Sequence, residues 1–423
     1  YEILFAQDTE TGWPEKSRSA VLIGALQIAS FLLLRNTGTS FRLTRFLTTA
    51  PSIFIGALTT AIGLLLSSYA NSVWQLCLGQ GVVVGLGAAV SSSAAIDALD
   101  ATLMYVFVDN RFSASGLFVA ATGVGGAVLS MGIHGALVDS SSLALRWLAL
   151  VVFIGQCLAA LPMVFRINST NSSNSGIFER ESSDQDDVLN KMMPKCNNTT
   201  SNINNDDNDD NNSKRPTSTP VRQSRLQTWA ATARSALGSQ GFLMLISVDL
   251  LHHMSYPVTL IFLPGYAAQM HSHIVGSPTH LATILWCSVL SALLIPHYHL
   301  SPLLHGISRL GLSLSLWCLW LPASGATNSA LLYAFCAVHG LFLGSVGVHL
   351  MDDLLATGGL IEAWIRAGVC SLGAVVGVLV AGWLFIGVGS AGQYMPAITF
   401  AAAASFLAAA VQLIGGWWMQ RST

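Results

Sequence analysis

Apolar residues run along this chain in long blocks, and short polar stretches separate most of them. Eleven blocks can be counted, and most contain roughly the 20 residues that a helix needs to cross a bilayer. They cover about 18–34, 47–68, 73–96, 113–138, 144–165, 241–266, 279–296, 307–323, 328–350, 364–388 and 394–418. The pattern predicts an all-α polytopic membrane protein that consists of two helical halves.

One long polar stretch divides the blocks into five and six. It contains "NNTTSNINNDDNDDNNSKRP", a tract that holds too little apolar surface to fold. We therefore predict an N-terminal transmembrane half (1–165), a disordered Asn/Asp-rich cytosolic linker (166–240) and a C-terminal transmembrane half (241–423). Two sets of six spans are a common transporter plan. Eleven spans fit this plan if a first span precedes Tyr1, and we expect that it does.

Composition agrees with a membrane protein and excludes some partners. Of the 423 residues, 52% are hydrophobic and 9% are charged, whereas soluble domains have about 25% charged residues. The net charge of −2 provides no basic surface for a nucleic acid. No nucleotide-binding, zinc-protease or serine-hydrolase motif is present, so we predict no enzyme and no cofactor.

Basic residues collect in the loops on one side of the predicted bundle. If 35–46, 97–112, 166–240, 297–309, 351–366 and the C-terminus share a side, that side holds sixteen of nineteen Lys and Arg residues. Without the long linker the ratio is still seven to three. The seven are Arg35, Arg42, Arg45, Arg111, Arg309, Arg366 and Arg421. The positive-inside rule makes this side cytosolic.

Two stretches of the first half carry a family resemblance. "GALTTAIGLLLSSYANSVWQLCLGQGVVVGLGAAVSS" (56–92) and "VDNRFSASGLFVAATGVGGAVL" (108–129) resemble segments of the major facilitator superfamily, most of all its fungal monocarboxylate-porter-like branch. In the second half, "VTLIFLPGYA" (258–267) and "LGAVVGVLVAGWL" (372–384) resemble the same branch. The matching residues of the first half are Ser67, Ser68, Trp74, Gln75, Leu76, Gln80, Gly81, Gly85, Gly87, Asp109, Arg111, Gly116, Gly123, Gly125 and Gly126.

The resemblance implies a twelve-helix carrier that moves small organic solutes by alternating access, often as anions together with protons. A monocarboxylate symporter in the plasma membrane or the vacuolar membrane is the expectation. One departure concerns recognition, because Leu293 stands where the family has an Arg. A different class also stays open: a receptor-like or transport-inactive membrane relative from a truncated gene.

The stretch "DLLHHMSYP" places ionisable groups inside an apolar block. At about 100° per residue, Asp249, His252, His253 and Tyr256 share one helix face. Ionisable groups in a span usually face the bundle interior or a cavity. A pathway that binds solute or carries protons, a metal site, an intramembrane catalytic site and plain helix–helix bonding are the four alternatives.

Other histidines and several glycines are further candidates. His134, His339 and His349 also lie inside apolar blocks. His134 and His339 are candidate pathway residues, and a hydrogen bond to a neighbouring helix is the alternative for all three. Six histidines lie at loop ends and are expected to be solvated: His271, His273, His280, His297, His299 and His305. Small residues spaced by four let helices approach closely in lipid, which predicts packing and rocking surfaces at Gly81 with Gly85, Gly340 with Gly344, and Gly373 with Gly377.

Charged pairs at the predicted cytosolic edge are candidates for a gate. Glu362 and Arg366 are spaced for an i,i+4 salt bridge, and Asp109 with Arg111 occupies a similar edge of the first half. A simple interfacial salt bridge is the alternative. Arg146, near the opposite edge, either extends outward to the interface or meets an anionic solute.

Overall fold

A computed structural model describes ten ranges of the chain: 13–36, 49–106, 111–137, 141–171, 233–270, 277–294, 302–326, 329–356, 360–386 and 394–422. Within these ranges the regular structure is helical. The long helices are α1 (Trp13–Asn36), α2 (Thr49–Ser68), α3 (Val73–Leu76, Cys77–Val83 and Val84–Val106), α4 (Arg111–Leu137), α5 (Ser141–Asn171), α6 (Gln240–Met270), α7 (Ser277–Leu294), α8 (Pro302–Ser315, Leu316–Trp320 and Leu321–Ala326), α9 (Ser329–Ala356), α10 (Leu360–Ile386) and α11 (Met395–Ser422). The middle segments of α3 and α8 are π-helical.

The helices confirm the predicted fold class. Each of the eleven apolar blocks overlaps one of them over most of its length, because burying backbone groups in lipid requires helical hydrogen bonding. Eight described helices are long and apolar enough to cross a membrane, while α1 and α7 have shorter apolar cores. The fold is that of a helical polytopic membrane protein.

Several helices extend beyond the predicted apolar blocks, because a helix continues for as long as its backbone hydrogen bonds are made. Both ends of the predicted linker are helical, since α5 reaches Asn171 and helix also covers 233–238. The rest of the linker lies outside the described residues. In the second half, α8 begins at Pro302 and α10 begins at Leu360. Arg309 and Arg366 therefore belong to helices and not to loops.

The second half repeats the packing of the first half, shifted by six helices. In the first half α1 packs on α3, α2 on α3 and α5, and α4 on α5. In the second half α7 packs on α9, α8 on α9 and α11, and α10 on α11. The helix α6, which packs against α10, α11 and α7, has no counterpart among the described helices of the first half. This repetition is typical of transporters that are built from internal repeats.

The same shift relates the contacts between the halves. The helix α1 packs on α10, and α4 packs on α7. Because α1 corresponds to α7 and α4 corresponds to α10, these two contacts are equivalent in the two halves. A large apolar cluster includes Phe335, Trp320 and Tyr394 from the second half and Ala25 from α1. It therefore joins the two halves.

Glycines lie at equivalent helix contacts in the two halves. A Cβ added to Gly85 of α3 would be 2.7 Å from the Gln27 carbonyl oxygen of α1. A Cβ added to Gly344 of α9 would overlap the Ser288 carbonyl oxygen of α7. Since α1 and α3 correspond to α7 and α9, both repeats use glycine for close packing.

The remaining predicted glycines also lie at helix contacts. Gly81 faces the Cβ atom of Leu26 on α1, and Gly340 faces the carbonyl of Ile284 on α7. On α10, Gly373 faces the carbonyl of Leu250 and Gly377 faces that of Met254, both on α6. The three predicted pairs therefore form three helix contacts.

Candidate functional site

A cavity of about 530 Å³ lies between the two halves. Helices α1 and α4 of the first half line one side, and α6, α7, α9 and α10 of the second half line the other. Most of the wall is apolar, and its polar side chains are Thr122, His252, His253, Tyr256 and Ser288. The volume falls within the range of roughly 300–1,000 Å³ that small-molecule sites occupy.

Helix α6 supplies the largest polar groups of the wall. His252 and His253 meet edge to face with ring centroids 5.4 Å apart, and His252 stacks on Tyr256 at 6.0 Å. The Nδ1 atom of His253 lies 2.8 Å from the backbone oxygen of Asp249, one turn earlier. Three of the four residues predicted on this stripe therefore line the cavity.

The hydroxyl groups across the cavity bond to their own helices. Thr122 of α4 donates to the carbonyl of Val119 at 2.7 Å, and Ser288 of α7 donates to that of Leu285 at 2.8 Å. Because each hydroxyl hydrogen is engaged, these oxygens present acceptor lone pairs to the cavity.

Asp249 belongs to a different environment from the rest of the stripe. It is only 1% exposed and does not line the cavity. Its Oδ2 accepts a hydrogen bond from Arg366 Nε at 2.5 Å, and its Oδ1 lies 3.8 Å from Arg309 Nη2. The carboxylate thus ties α6 to both α8 and α10.

A buried polar network continues from this salt bridge. Arg309 donates from Nε to His305 Nε2 at 3.2 Å and from Nη1 to the Val248 carbonyl at 3.3 Å. His305 Nδ1 lies 2.8 Å from the amide of Gln412, and the His305 ring stacks on His349 at 4.3 Å. With Asp249 and Arg366, this network links five helices of the second half.

The network determines the tautomer of His305. The Arg309 Nε–H group can only donate, so His305 Nε2 must accept. In the neutral ring, Nδ1 then carries the hydrogen, while the atom beside it is the donor Nε2 of Gln412. Exchanging the amide oxygen and nitrogen of Gln412, which are assigned from the hydrogen-bond network, lets His305 Nδ1 donate to the amide oxygen.

The structure separates the other predicted site residues. His339 is buried at the contact of α9 with α8, where its Nδ1 lies 2.8 Å from Ser315 Oγ, and it does not line the cavity. The side chains of His134 and Arg111, and all of Asp109, lie outside the described residues. Arg366 bonds to Asp249 inside the bundle, a partner that helical spacing did not predict.

Two histidines that were expected to be solvated are buried. His280 is 0% exposed and stacks on Tyr333 at 4.1 Å, because it lies one residue inside its apolar block and packs against α9. His305 is also buried, because its helix begins at Pro302, before the apolar block 307–323. Both expectations were wrong.

Sequence reasoning missed Arg309. This side chain is 1% exposed, yet it was assigned to a cytosolic loop. The available signal was the stretch "HGISR", in which His305 and Arg309 are four apart and share a helix face.

The metal alternative finds little support around the stripe. Among the side chains that the structure describes, no three of His, Cys, Asp or Glu are grouped so that they could hold a metal ion. The Asp249 carboxylate is instead engaged by two guanidinium groups.

A comparison with family models identifies a match over most of the chain. The family model described as Major Facilitator Superfamily matches residues 42–355. No curated protein sequence matches the chain.

Proposed function

Because the chain belongs to the Major Facilitator Superfamily, whose members are secondary transporters of small solutes, we propose that it carries a small organic anion together with protons. The solute class we propose is a monocarboxylate, and the mechanism is alternating access between the two halves. Transporters of this family are multi-pass membrane proteins and are generally not enzymes. For the location we propose the plasma membrane or the vacuolar membrane.

The cavity between the halves is the observation that carries this proposal. It lies where two helices of the first half face four helices of the second half, so relative movement of the halves changes its access. Its wall is mostly apolar, with polar groups concentrated on α6. Such a wall favours a small solute with one polar end and an apolar body.

Positive charge behind α6 supports an anionic solute. Arg309 and Arg366 surround the carboxylate of Asp249, so the described cluster has two guanidinium groups for one carboxylate. Arg309 also interacts electrostatically with His252, which lines the cavity. In a low-dielectric interior this charge acts over a longer range than it would in water.

The glycine contacts and the charged edge supply the proposed moving parts. Close packing of α3 on α1 and of α9 on α7 lets each helix pair move as one body. Asp109, Arg111, Glu362 and Arg366 are proposed as the gate at the basic end. The connection of Arg366 to Asp249 couples that end to α6, which carries the cavity histidines.

Reconstitution in lipid vesicles tests the proposal. Uptake of labelled lactate, pyruvate and nicotinate should rise as the external pH falls from about 7.5 to about 5.5, the range in which histidine ordinarily titrates. Uptake by the purified protein that is insensitive to the proton gradient would contradict proton coupling. No uptake of any of the three acids would contradict the solute class.

A matched pair of variants tests whether the cavity is the binding site. Thr122→Trp fills the cavity from α4 and should abolish uptake. Leu117→Trp, on the same helix but 60% exposed and not in the cavity wall, should retain it. Equal activity of the two variants would place the solute elsewhere.

A further inference from the structure

We propose that His253 is the proton-binding residue of the cavity, which takes up the transported proton at Nε2 while its Nδ1–H stays bonded to the Asp249 carbonyl. This inference deepens the proposed function and rests on it. It names one atom as the proton site among the four polar residues of the α6 stripe.

The hydrogen bond of His253 fixes its tautomer. A backbone carbonyl oxygen can only accept, so the Nδ1 atom, 2.8 Å from the Asp249 oxygen, must carry hydrogen. In the neutral ring the basic lone pair is therefore on Nε2. Protonation occurs at that atom without breaking the bond at Nδ1.

The same bond supports the protonated ring. A hydrogen bond from a charged imidazolium is roughly twice as strong as one from a neutral ring. The bond to Asp249 O therefore strengthens when His253 Nε2 gains a proton, and it holds the ring in one orientation in both states.

Access distinguishes His253 from Asp249. His253 lines the cavity and is only partly buried, so water in the cavity can deliver and remove a proton. The Asp249 carboxylate is almost fully buried outside the cavity wall and is held by Arg366 and Arg309. Protonating Asp249 would leave two buried guanidinium groups without their carboxylate, which is costly.

Charged and titratable groups on several helices form the electrostatic environment of His253. On α6 these are Asp249, His252 and Tyr256. Of the helices that pack on α6, α10 supplies Glu362, Arg366 and Cys370, α7 supplies His280 and Cys287, and Tyr394 lies at the start of α11. Arg309 and His305 of α8 and His339 of α9 interact electrostatically with the neighbouring His252, and His349 stacks on His305. The cavity wall from α1 and α4 is apolar except for Thr122.

The proposed step balances charge. One proton bound at His253 Nε2 offsets the charge of one solute anion in the cavity, so the loaded carrier gains no net charge. After the two halves move and open the cavity to the other side of the membrane, the proton leaves Nε2 for water on that side. The transport cycle is then one proton with one anion.

The test compares His253→Gln with His280→Gln, a control at a histidine of α7 outside the cavity wall, in vesicles that contain the full chain. Glutamine keeps a side-chain amide donor but cannot carry the proton. Two quantities are measured with labelled lactate: exchange at equal pH on both sides, and accumulation driven by an inward proton gradient. A trapped pH dye records proton movement during uptake.

We expect His253→Gln to exchange lactate within about threefold of the unmodified protein, the loss expected for one neutral hydrogen bond. Its gradient-driven accumulation should fall to none, and the pH dye should show no proton entry. His280→Gln should retain both accumulation and proton entry, because His280 does not line the cavity. Accumulation by His253→Gln at the unmodified level would overturn the inference and leave the proposed function standing.

A second measurement does not depend on any solute. Diethyl pyrocarbonate modifies neutral imidazole nitrogens, and mass spectrometry locates the modified residue. We expect His253 to react when its ring is neutral and to be protected as acid protonates it. A His253 that stays unmodified at every pH would overturn the inference, even if lactate, pyruvate and nicotinate all fail as solutes.

Discussion

Arg366 donates a hydrogen bond to Asp249 across 117 residues of sequence, and both side chains are buried. The bond joins the first turns of α10 to the middle of the first half of α6. A second guanidinium, that of Arg309, approaches the other oxygen of the same carboxylate. Asp249 therefore acts as the shared anion of three helices.

Removing this anion should destabilise the protein. Asp249→Asn leaves two buried guanidinium groups around a neutral amide, and breaking a buried pair in this way costs roughly 3–5 kcal/mol. We expect a clear fall in the apparent melting temperature of the purified protein in detergent. Combining Asp249→Asn with Arg366→Gln should recover part of this loss, because the charge partner is removed as well.

Distance predicts which arginine is coupled more strongly. Arg366 contacts the carboxylate at 2.5 Å and Arg309 at 3.8 Å. The double-mutant cycle of Asp249 with Arg366 should therefore give a larger coupling energy than the cycle of Asp249 with Arg309. Additive losses in both cycles would contradict the shared-anion description.

Glycine at position 377 should be required for the contact between α6 and α10. A Cβ there would overlap the Met254 carbonyl oxygen, so Gly377→Ala must separate the two helices. Gly368→Ala on the same helix is the matched control, since a Cβ at Gly368 meets nothing within 4 Å. We expect Gly377→Ala to lower the melting temperature and transport, and Gly368→Ala to leave both unchanged or to stabilise by up to about 1 kcal/mol. Equal losses from both variants would show that the effect is not the helix contact.

The membrane fold could be predicted from sequence because lipid leaves few alternatives. Each apolar block had to become a helix, and the eleven blocks correspond to α1–α11. Helix ends were harder to predict, since Pro302 and Leu360 start their helices in polar sequence. Hydropathy locates the part of a helix that lies in lipid, whereas hydrogen bonding decides where the helix begins.

The site was predictable only where its residues share one helix. His252, His253 and Tyr256 follow from helical spacing on α6, and all three line the cavity. The partners of Asp249 did not follow, because Arg309 and Arg366 are 60 and 117 residues away and reach it through packing. Spacing rules describe neighbours along a helix and give no information on which other helix faces them.

Arg146 should be a structural residue and not part of the solute pathway. Its guanidinium carbon lies 4.5 Å from the ring centroid of Tyr69, and its Nε donates to Ser68 Oγ at 3.4 Å. These contacts join α5 to the end of α2 and do not involve the cavity. Because Tyr69 is 66% exposed, the interaction is worth about 0.5–1 kcal/mol.

We therefore expect Arg146→Gln to lower the melting temperature slightly and to leave the KM for lactate unchanged. Tyr69→Leu, which removes the ring and keeps the charge, should have the same small effect on stability. A marked rise in KM for Arg146→Gln alone would instead support direct binding of the anionic solute by Arg146.

The hydroxyl oxygens opposite α6 should select for solutes that carry a hydroxyl group. Thr122 and Ser288 present acceptor lone pairs to the cavity, because their hydrogens are engaged by Val119 and Leu285. A solute hydroxyl can donate to them, whereas a methylene cannot. One neutral hydrogen bond contributes about 0.5–1.5 kcal/mol, so the unmodified protein should prefer lactate over propionate by roughly two- to tenfold in kcat/KM.

Substitution should remove that preference without removing transport. Ser288→Ala and Thr122→Val keep the approximate volume of each side chain and delete the acceptor. We expect kcat/KM for lactate to fall towards the value for propionate, while propionate transport stays nearly constant because propionate never used these oxygens. Equal losses for both acids would mean that the two hydroxyl groups maintain the structure of the cavity and do not bind the hydroxyl group of the solute.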